Sequence, residues 1–119
     1  MFMAFGQGDI PSVFARLHPD IVWNSPYSEG VPLHGVFKGH EGVGKLFSLF
    51  GSAIEILAFT PERFLADGSD VVVLGSEEVR VKATGKTYEN RWAHVYTLRD
   101  GLIVAVTSYN DTARVAAAY

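Results

Sequence analysis

Between Thr87 and Leu98 two sets of side chains alternate without a break. Tyr88, Asn90, Trp92, His94 and Tyr96 hold one parity, and Glu89, Arg91, Ala93, Val95 and Thr97 hold the other. A period of two over that length suits an extended strand, because successive Cβ atoms of a strand point to opposite faces. Asp100-Gly101 follows as a tight hairpin turn, leading into a last strand from Leu102 to about Asn110. Upstream, Asp70 to Lys82 carries an apolar run at 71–74 and alternation at 79–82, and Thr84-Gly85-Lys86 supplies the turn into the long strand. Glu62 to Ala66 is a short strand ending at the turn signal Asp67-Gly68. The second half therefore reads as an antiparallel meander.

The first half reads differently. Asp9 is a candidate N-cap and Pro11 suits a first turn, after which Ile10, Val13, Phe14 and Leu17 recur at helical spacing. Residues 1–8 can add about two turns at most before that point. Ile21-Val22-Trp23 is a β-branched and aromatic run that Pro26 ends, which predicts a short strand. Residues 27–42 hold five Gly or Pro and read as a loop. A second helix is predicted from near Gly42, with Val43, Leu46, Phe47, Phe50, Ile54 and Leu57 as its apolar stripe. The glycine-rich Gly39-His40-Glu41-Gly42-Val43-Gly44 follows no strand and lacks a closing Lys-Ser/Thr, so it reads as the start of that helix and not as a phosphate loop. The alanine-rich tail from Ala113 is too short for an independent helix. Helices followed by an antiparallel meander is the order of an α+β fold, with helices gathered on one face of a curved sheet.

Composition narrows the function classes. A chain of 119 residues, 48% hydrophobic, is one domain with ample core. Its formal charge of -3 and the absence of any Lys/Arg run argue against a nucleic-acid partner. No cysteine is present, and His18, His34, His40 and His94 show no close ligand pairing, so neither a thiolate nucleophile nor a metal site is expected. No leader or membrane span is legible, and cytoplasm is the default compartment. No cofactor motif is present either.

Taken in order, Gly8-Asp9-Ile10, Pro19-Asp20-Ile21-Val22-Trp23 with Pro26, Gly39-His40-Glu41-Gly42, Ala66-Asp67-Gly68 and the run from Arg91 to Gly101 resemble the SnoaL-like, ketosteroid-isomerase-related branch of the nuclear transport factor 2-like superfamily. The resemblance spans nearly the whole of residues 1–119. It implies a cone-shaped α+β barrel, a strongly curved and mostly antiparallel sheet wrapped around an N-terminal helix, with an apolar cavity open at one end and usually a homodimer. Members normally carry further helical turns before the Gly-Asp turn, so the first helix reads as shortened. The fold hosts isomerases, cyclases, epoxide hydrolases and non-catalytic binding proteins alike. Two readings follow: an acid/base isomerase, cyclase or hydrolase acting on a small hydrophobic carbonyl or cyclic compound, or a binding protein for a small hydrophobic ligand.

Position by position, the acids of the steroid isomerases fall on Ser25 and Ala93, which can neither abstract a carbon-bound proton nor donate to an oxyanion. Of the Asp-Arg-Asp relay of epoxide hydrolases only Arg91 has a counterpart, its acids falling on Ala93 and Ser108. Asp111 is the nearest carboxylate to the last strand and the candidate acid or base. Arg91 among Ala93, Val95 and Thr97 is the candidate clamp for an anionic or enolate-like oxygen; the plain alternative is a salt bridge with Glu89 or Glu78. The resemblance turns Arg91 inward and His94 toward a second subunit, with Tyr88, Trp92, His94, Tyr96 and Tyr109 forming the dimer patch. His94 has a competing reading as a general base among aromatics. Trp23, Asn24, Ser25, Tyr27, Ser108 and Asn110 are expected to border the ligand, with Phe14 and Phe47 as further lining or plain core. Whether Trp23 and Ser25 or Val22 and Asn24 point inward depends on the register of the first strand.

Overall fold

A computed structural model describes residues 10–119. The Asp9 cap and any turns within 1–8 lie outside the described residues. A short helix α1 (Ile10–Ala15) leads into β1 (Leu17–Ser25), and a loop then gives β2 (Gly35–Lys38) and helix α2 (Gly39–Ala53). Four long strands follow, β3 (Ile54–Asp67), β4 (Asp70–Val81), β5 (Thr87–Arg99) and β6 (Leu102–Tyr109), before a terminal helix α3 (Thr112–Ala117). The six strands make one sheet in the order β2-β1-β6-β5-β4-β3. All pairs are antiparallel except β1 with β6. This is the expected α+β cone: among the described residues, three helices lie on a curled, unclosed mixed sheet.

Several boundaries differ from the sequence reading for identifiable reasons. The second helix stops at Ala53, because Ile54 is already extended (φ -136°, ψ 158°). Ile54 and Leu57 belong to β3, where the β-branched Ile54 is at less cost than in a helix. That strand is 14 residues long, not the five from Glu62 to Ala66, and it runs through Pro61. It can do so because it lies at the sheet edge, where a missing N–H leaves no ladder bond broken. The first strand likewise extends from three residues to nine. Within the expected loop, Gly35–Lys38 pairs with β1. The alanine-rich tail forms a six-residue helix that is not independent: Asp111 caps it, and Val115 is fully buried.

The curl comes from irregularities in the long strands. Bulges interrupt the β3–β4 register between Ile56 and Ala58 and again between Pro61 and Arg63. Gly75, opposite Trp92, leaves room for the indole to lie across the sheet. The β5–β6 hairpin closes at Asp100 (φ 55°) and Gly101 (φ 78°), both left-handed as a two-residue type I′ turn requires. One inward row runs Phe37, Trp23, Val106, Tyr96, Val71 across five strands, and α2 covers it with Val43 and Leu46. A second cluster, including Leu33, Val79, Val81, Tyr88 and Val115, closes the other end beneath α3.

Candidate functional site

Parity decides what the sheet encloses. Along β5 the bulky set faces in: Tyr88, Asn90, Trp92 and Tyr96 are buried and His94 half-buried. Burying an aromatic ring removes far more apolar surface from water than burying Ala93 or Val95, so this orientation follows from the hydrophobic effect. The concave side holds a cavity of about 70 Å³ between α2 and the sheet. Its apolar wall includes Trp23, Phe47, Phe50 and Phe59, and its polar groups are Tyr27, Glu77, Tyr88, His94, Tyr96, Ser108 and Asn110.

At one pole sits Glu77. Burial pushes its carboxyl above the usual carboxylate range, opposed by the Asn90 amide, whose Nδ2 donates to Glu77 Oε1 at 3.0 Å. Burial, and next the charge of Glu77, keep the phenols of Tyr27 and Tyr88 protonated well above the ordinary tyrosine range. A proton acceptor and two obligate O–H donors thus share one end of an apolar space. Glu77 also borders a polar groove outside the sheet, so its carboxyl stands in the wall between the cavity and solvent.

At the other pole, His94 Nδ1 and the Tyr96 hydroxyl are 3.0 Å apart, and the imidazole stacks on Trp92 with ring centroids 4.2 Å apart. Burial lowers the His94 pKa from 6.5 to about 4, so the ring is neutral at physiological pH. Burial likewise raises that of Tyr96 above the usual tyrosine range. Ser108, buried on β6, is the cross-strand partner of His94. The His94 shift has a consequence for stability. Between pH 6.5 and about 4 the unfolded chain takes up a proton that the folded chain refuses, so stability falls as pH falls through that window. By pH 4 the loss amounts to about 3 kcal/mol. Urea unfolding of the parent and of His94→Gln at pH 7 and pH 4 should show the variant losing less over that range, by about that amount.

The expected site residues divide into two groups. Trp23, Tyr27, Ser108 and Asn110 line the cavity, and Ser25 is buried on the same parity of β1. Register places Trp23 and Ser25 inward, so Asn24 is exposed on the convex face, a correction to its expected place at the ligand. Arg91 is corrected too. Its side chain is 83% exposed and lies 3.7 Å from Glu62, a cross-sheet acid other than the Glu89 or Glu78 considered above. Asp111 is also outside the cavity; its carboxylate accepts from Arg114 N–H at 3.2 Å as the cap of α3. Arg91 and Asp111 instead border the outer groove, where each is paired, with Glu62 and Arg114 respectively. That groove is wider than the cavity, but its charges already answer one another.

Tyr88, Trp92, His94 and Tyr96 do not form an outer patch; they face inward. Phe14 packs on Phe47 and His40, and lies behind the lining. Among the described residues no group of three or more His, Asp or Glu is placed to hold a metal ion, and no helix is long and apolar enough to cross a membrane. Sequence reasoning missed Glu77. The signal was present: Val79 and Val81 are fully buried, and residue 77 shares their parity on β4.

The profile of the SnoaL-like domain family matches residues 1–106. No curated protein gives a significant match. Among solved structures, the chain is similar to a nuclear transport factor 2-like protein from Burkholderia xenovorans LB400, with 33% identity over 98% of this chain and 88% of that one, and a TM-score of 0.89. It is also similar to TerC, crystallised with polyporic acid, at 27% identity over 98% and 89% of the two chains and a TM-score of 0.86. A protein with a ketosteroid isomerase-like fold from Catenulispora acidiphila, in complex with trimethylamine, aligns at 14% identity over 89% and 78%, with a TM-score of 0.75. At that identity the likeness speaks for the fold alone.

Proposed function

The chain belongs to the SnoaL-like domain family, and from that premise we propose that it transfers a proton on a small hydrophobic carbonyl or cyclic compound held in the cavity. The observation that carries the reading is that Glu77, Tyr27 and Tyr88 line one cavity with an apolar wall, near enough for the charge of Glu77 to act on both phenols. A carboxylate with a raised pKa is a stronger base than an ordinary one. Glu77 takes a proton from the carbon beside a carbonyl, the C–H pair becomes a carbon–carbon double bond, and the carbonyl π pair moves to oxygen. A phenol O–H donates to that oxygen; return of the proton to the same carbon completes the exchange, and in a β,γ-unsaturated ketone its return to the γ carbon, as the C=O re-forms and the double bond moves to Cα–Cβ, completes an isomerisation. His94 and Tyr96 anchor the far end of the ligand. Co-crystallisation of TerC with polyporic acid supports a small-molecule ligand here as well.

The cavity limits size. At about 70 Å³ it is smaller than the ~150 Å³ apolar cavity that admits benzene, so a ring enters only as lining side chains turn aside. The test is proton exchange: small cyclic ketones and enones incubated with the protein in D₂O, followed by loss of the α-proton NMR signal. Faster loss than in buffer, abolished by Glu77→Gln, is the expected result. Tight binding of several of these ketones with no exchange on any would favour a binding protein instead.

A homodimer across the convex sheet face belongs to the same proposal. Leu65, Val72, Val95, Thr107, Asn24 and Val36 stand in register across all six strands, flanked by Tyr109 at 54% exposure. A largely apolar row of that length is unusual on a monomer's surface. Sedimentation equilibrium at micromolar concentration should give twice the 13.0 kDa chain mass, and Val95→Asp should halve it. A parent that stays at the chain mass would contradict the dimer.

A further inference from the structure

Asn90 is the most thoroughly bonded buried polar side chain among the described residues, and its contact with Glu77 is only one of the bonds it makes. It is 1% exposed, and its bonds determine which way the amide points. The backbone N–H of Asp111 can only donate, and it reaches Asn90 Oδ1 at 2.9 Å. The NH₂ group must therefore face the other side, where it donates to Glu77 Oε1 at 3.0 Å and to Asn110 Oδ1 at 2.7 Å. Asn110 is fixed in turn by donating to Ser108 O at 3.2 Å. A chain of directed bonds thus runs from the N-terminus of α3 to the carboxyl of Glu77.

The geometry points to Asn90 as a positioning residue that orients the Glu77 carboxylate and ties its proton affinity to the seating of α3. The inference rests on the reading of Glu77 as the proton acceptor. A donor aimed at a carboxylate favours its charged form, which opposes the effect of burial. The other groups facing Glu77 do not substitute for it. Tyr27 and Tyr88 approach from the loop after β1 and from β5, with Tyr119 beyond them. Glu78, Glu89, Arg91, Asp111 and Arg114 border the groove on the solvent side. Tyr27 and Tyr88 lie at the cavity pole, while the amide alone ties Glu77 to α3. Because Asp111 both caps α3 and supplies the N–H that holds Asn90 Oδ1, displacement of this helix removes one of the bonds that fix the amide and loosens its donor's hold on the Glu77 carboxylate.

The experiment is a carboxyl-carbon NMR titration of the full chain labelled at glutamate side chains, with Glu77→Gln assigning the resonance. In Asn90→Leu the Glu77 resonance should titrate at least about one pH unit higher than in the parent. Asn90→Asp keeps the acceptor for Asp111 N–H and hence the fold, but faces Glu77 with a second carboxyl. There Glu77 should also titrate higher, in two coupled steps. If Leu at 90 unfolds the chain, the Asp variant decides. An unchanged Glu77 titration in a folded variant would overturn the inference and leave Asn90 a structural residue. The titration reads Glu77 directly and does not depend on turnover, so its failure is distinct from a failure of the proton-exchange assay.

Discussion

Gly75→Ala should cost this fold on the order of 3 kcal/mol. A Cβ at that position would run into the Trp92 ring and lie 2.6 Å from the Thr60 carbonyl oxygen, one neighbour being a buried indole and the other main chain. Neither can yield cheaply. Trp92 is stacked between Phe59, at 4.9 Å, and His94, at 4.2 Å, so displacing it also disturbs one pole of the cavity. Urea unfolding should show a lower midpoint, and near-ultraviolet circular dichroism a weakened tryptophan signal. A variant as stable as the parent would mean that Trp92 does not lie across the sheet as described.

The second large effect is on chemistry. Glu77→Gln keeps size and shape but removes the proton acceptor, so proton exchange on a ring ketone should fall ~10²-fold or more, with ligand affinity changed only severalfold. Stability should move the other way. Because the folded pKa of Glu77 is raised, the folded chain holds a proton that the unfolded chain releases as pH climbs above the ordinary carboxylate range. The parent therefore loses stability across that window, and Glu77→Gln escapes the loss. The variant should unfold at higher urea than the parent at neutral pH, and at about the same urea under acid conditions, where both states of the parent are protonated. A gain in stability joined to a loss of turnover marks a group kept for function. Arg91→Leu should change neither, since its guanidinium lies outside the cavity.

Strands β4 to β6 and their turns could be read from alternation and from Asp100-Gly101, because long strands with one buried face impose a period of two on the chain. Alternation does not say which face is inward. On β5 the bulk of Tyr88, Trp92 and Tyr96 is what turns that face inward, against the resemblance, which turns Arg91 inward instead. Glu77 was hidden for a related reason: it stands beside Glu78, and a pair of adjacent acids looks like solvent-facing surface until the parity of Val79 and Val81 is carried back along β4. The β2 strand was lost among glycines and prolines, since its four residues hold too little pattern to stand out from a loop. The helix end at Ala53 was obscured because Ile54 and Leu57 continue the apolar stripe of α2 at helical spacing while also fitting a strand. Ser25, Tyr27, Ser108 and Asn110 came from the resemblance, and composition alone would not have gathered them.

On the proposed function a ligand reacts in the concave cavity, between Glu77 at one pole and His94 at the other. The most direct measurement is a crystal structure of the protein soaked with the ring ketone that exchanges fastest. Density between Trp23, Phe47 and Phe59, with the ligand oxygen in hydrogen-bond reach of Tyr27 or Tyr88 and the exchanging carbon against Glu77, is the predicted result. Density confined to the outer groove beside Arg91 and Asp111, with the cavity closed, would contradict it.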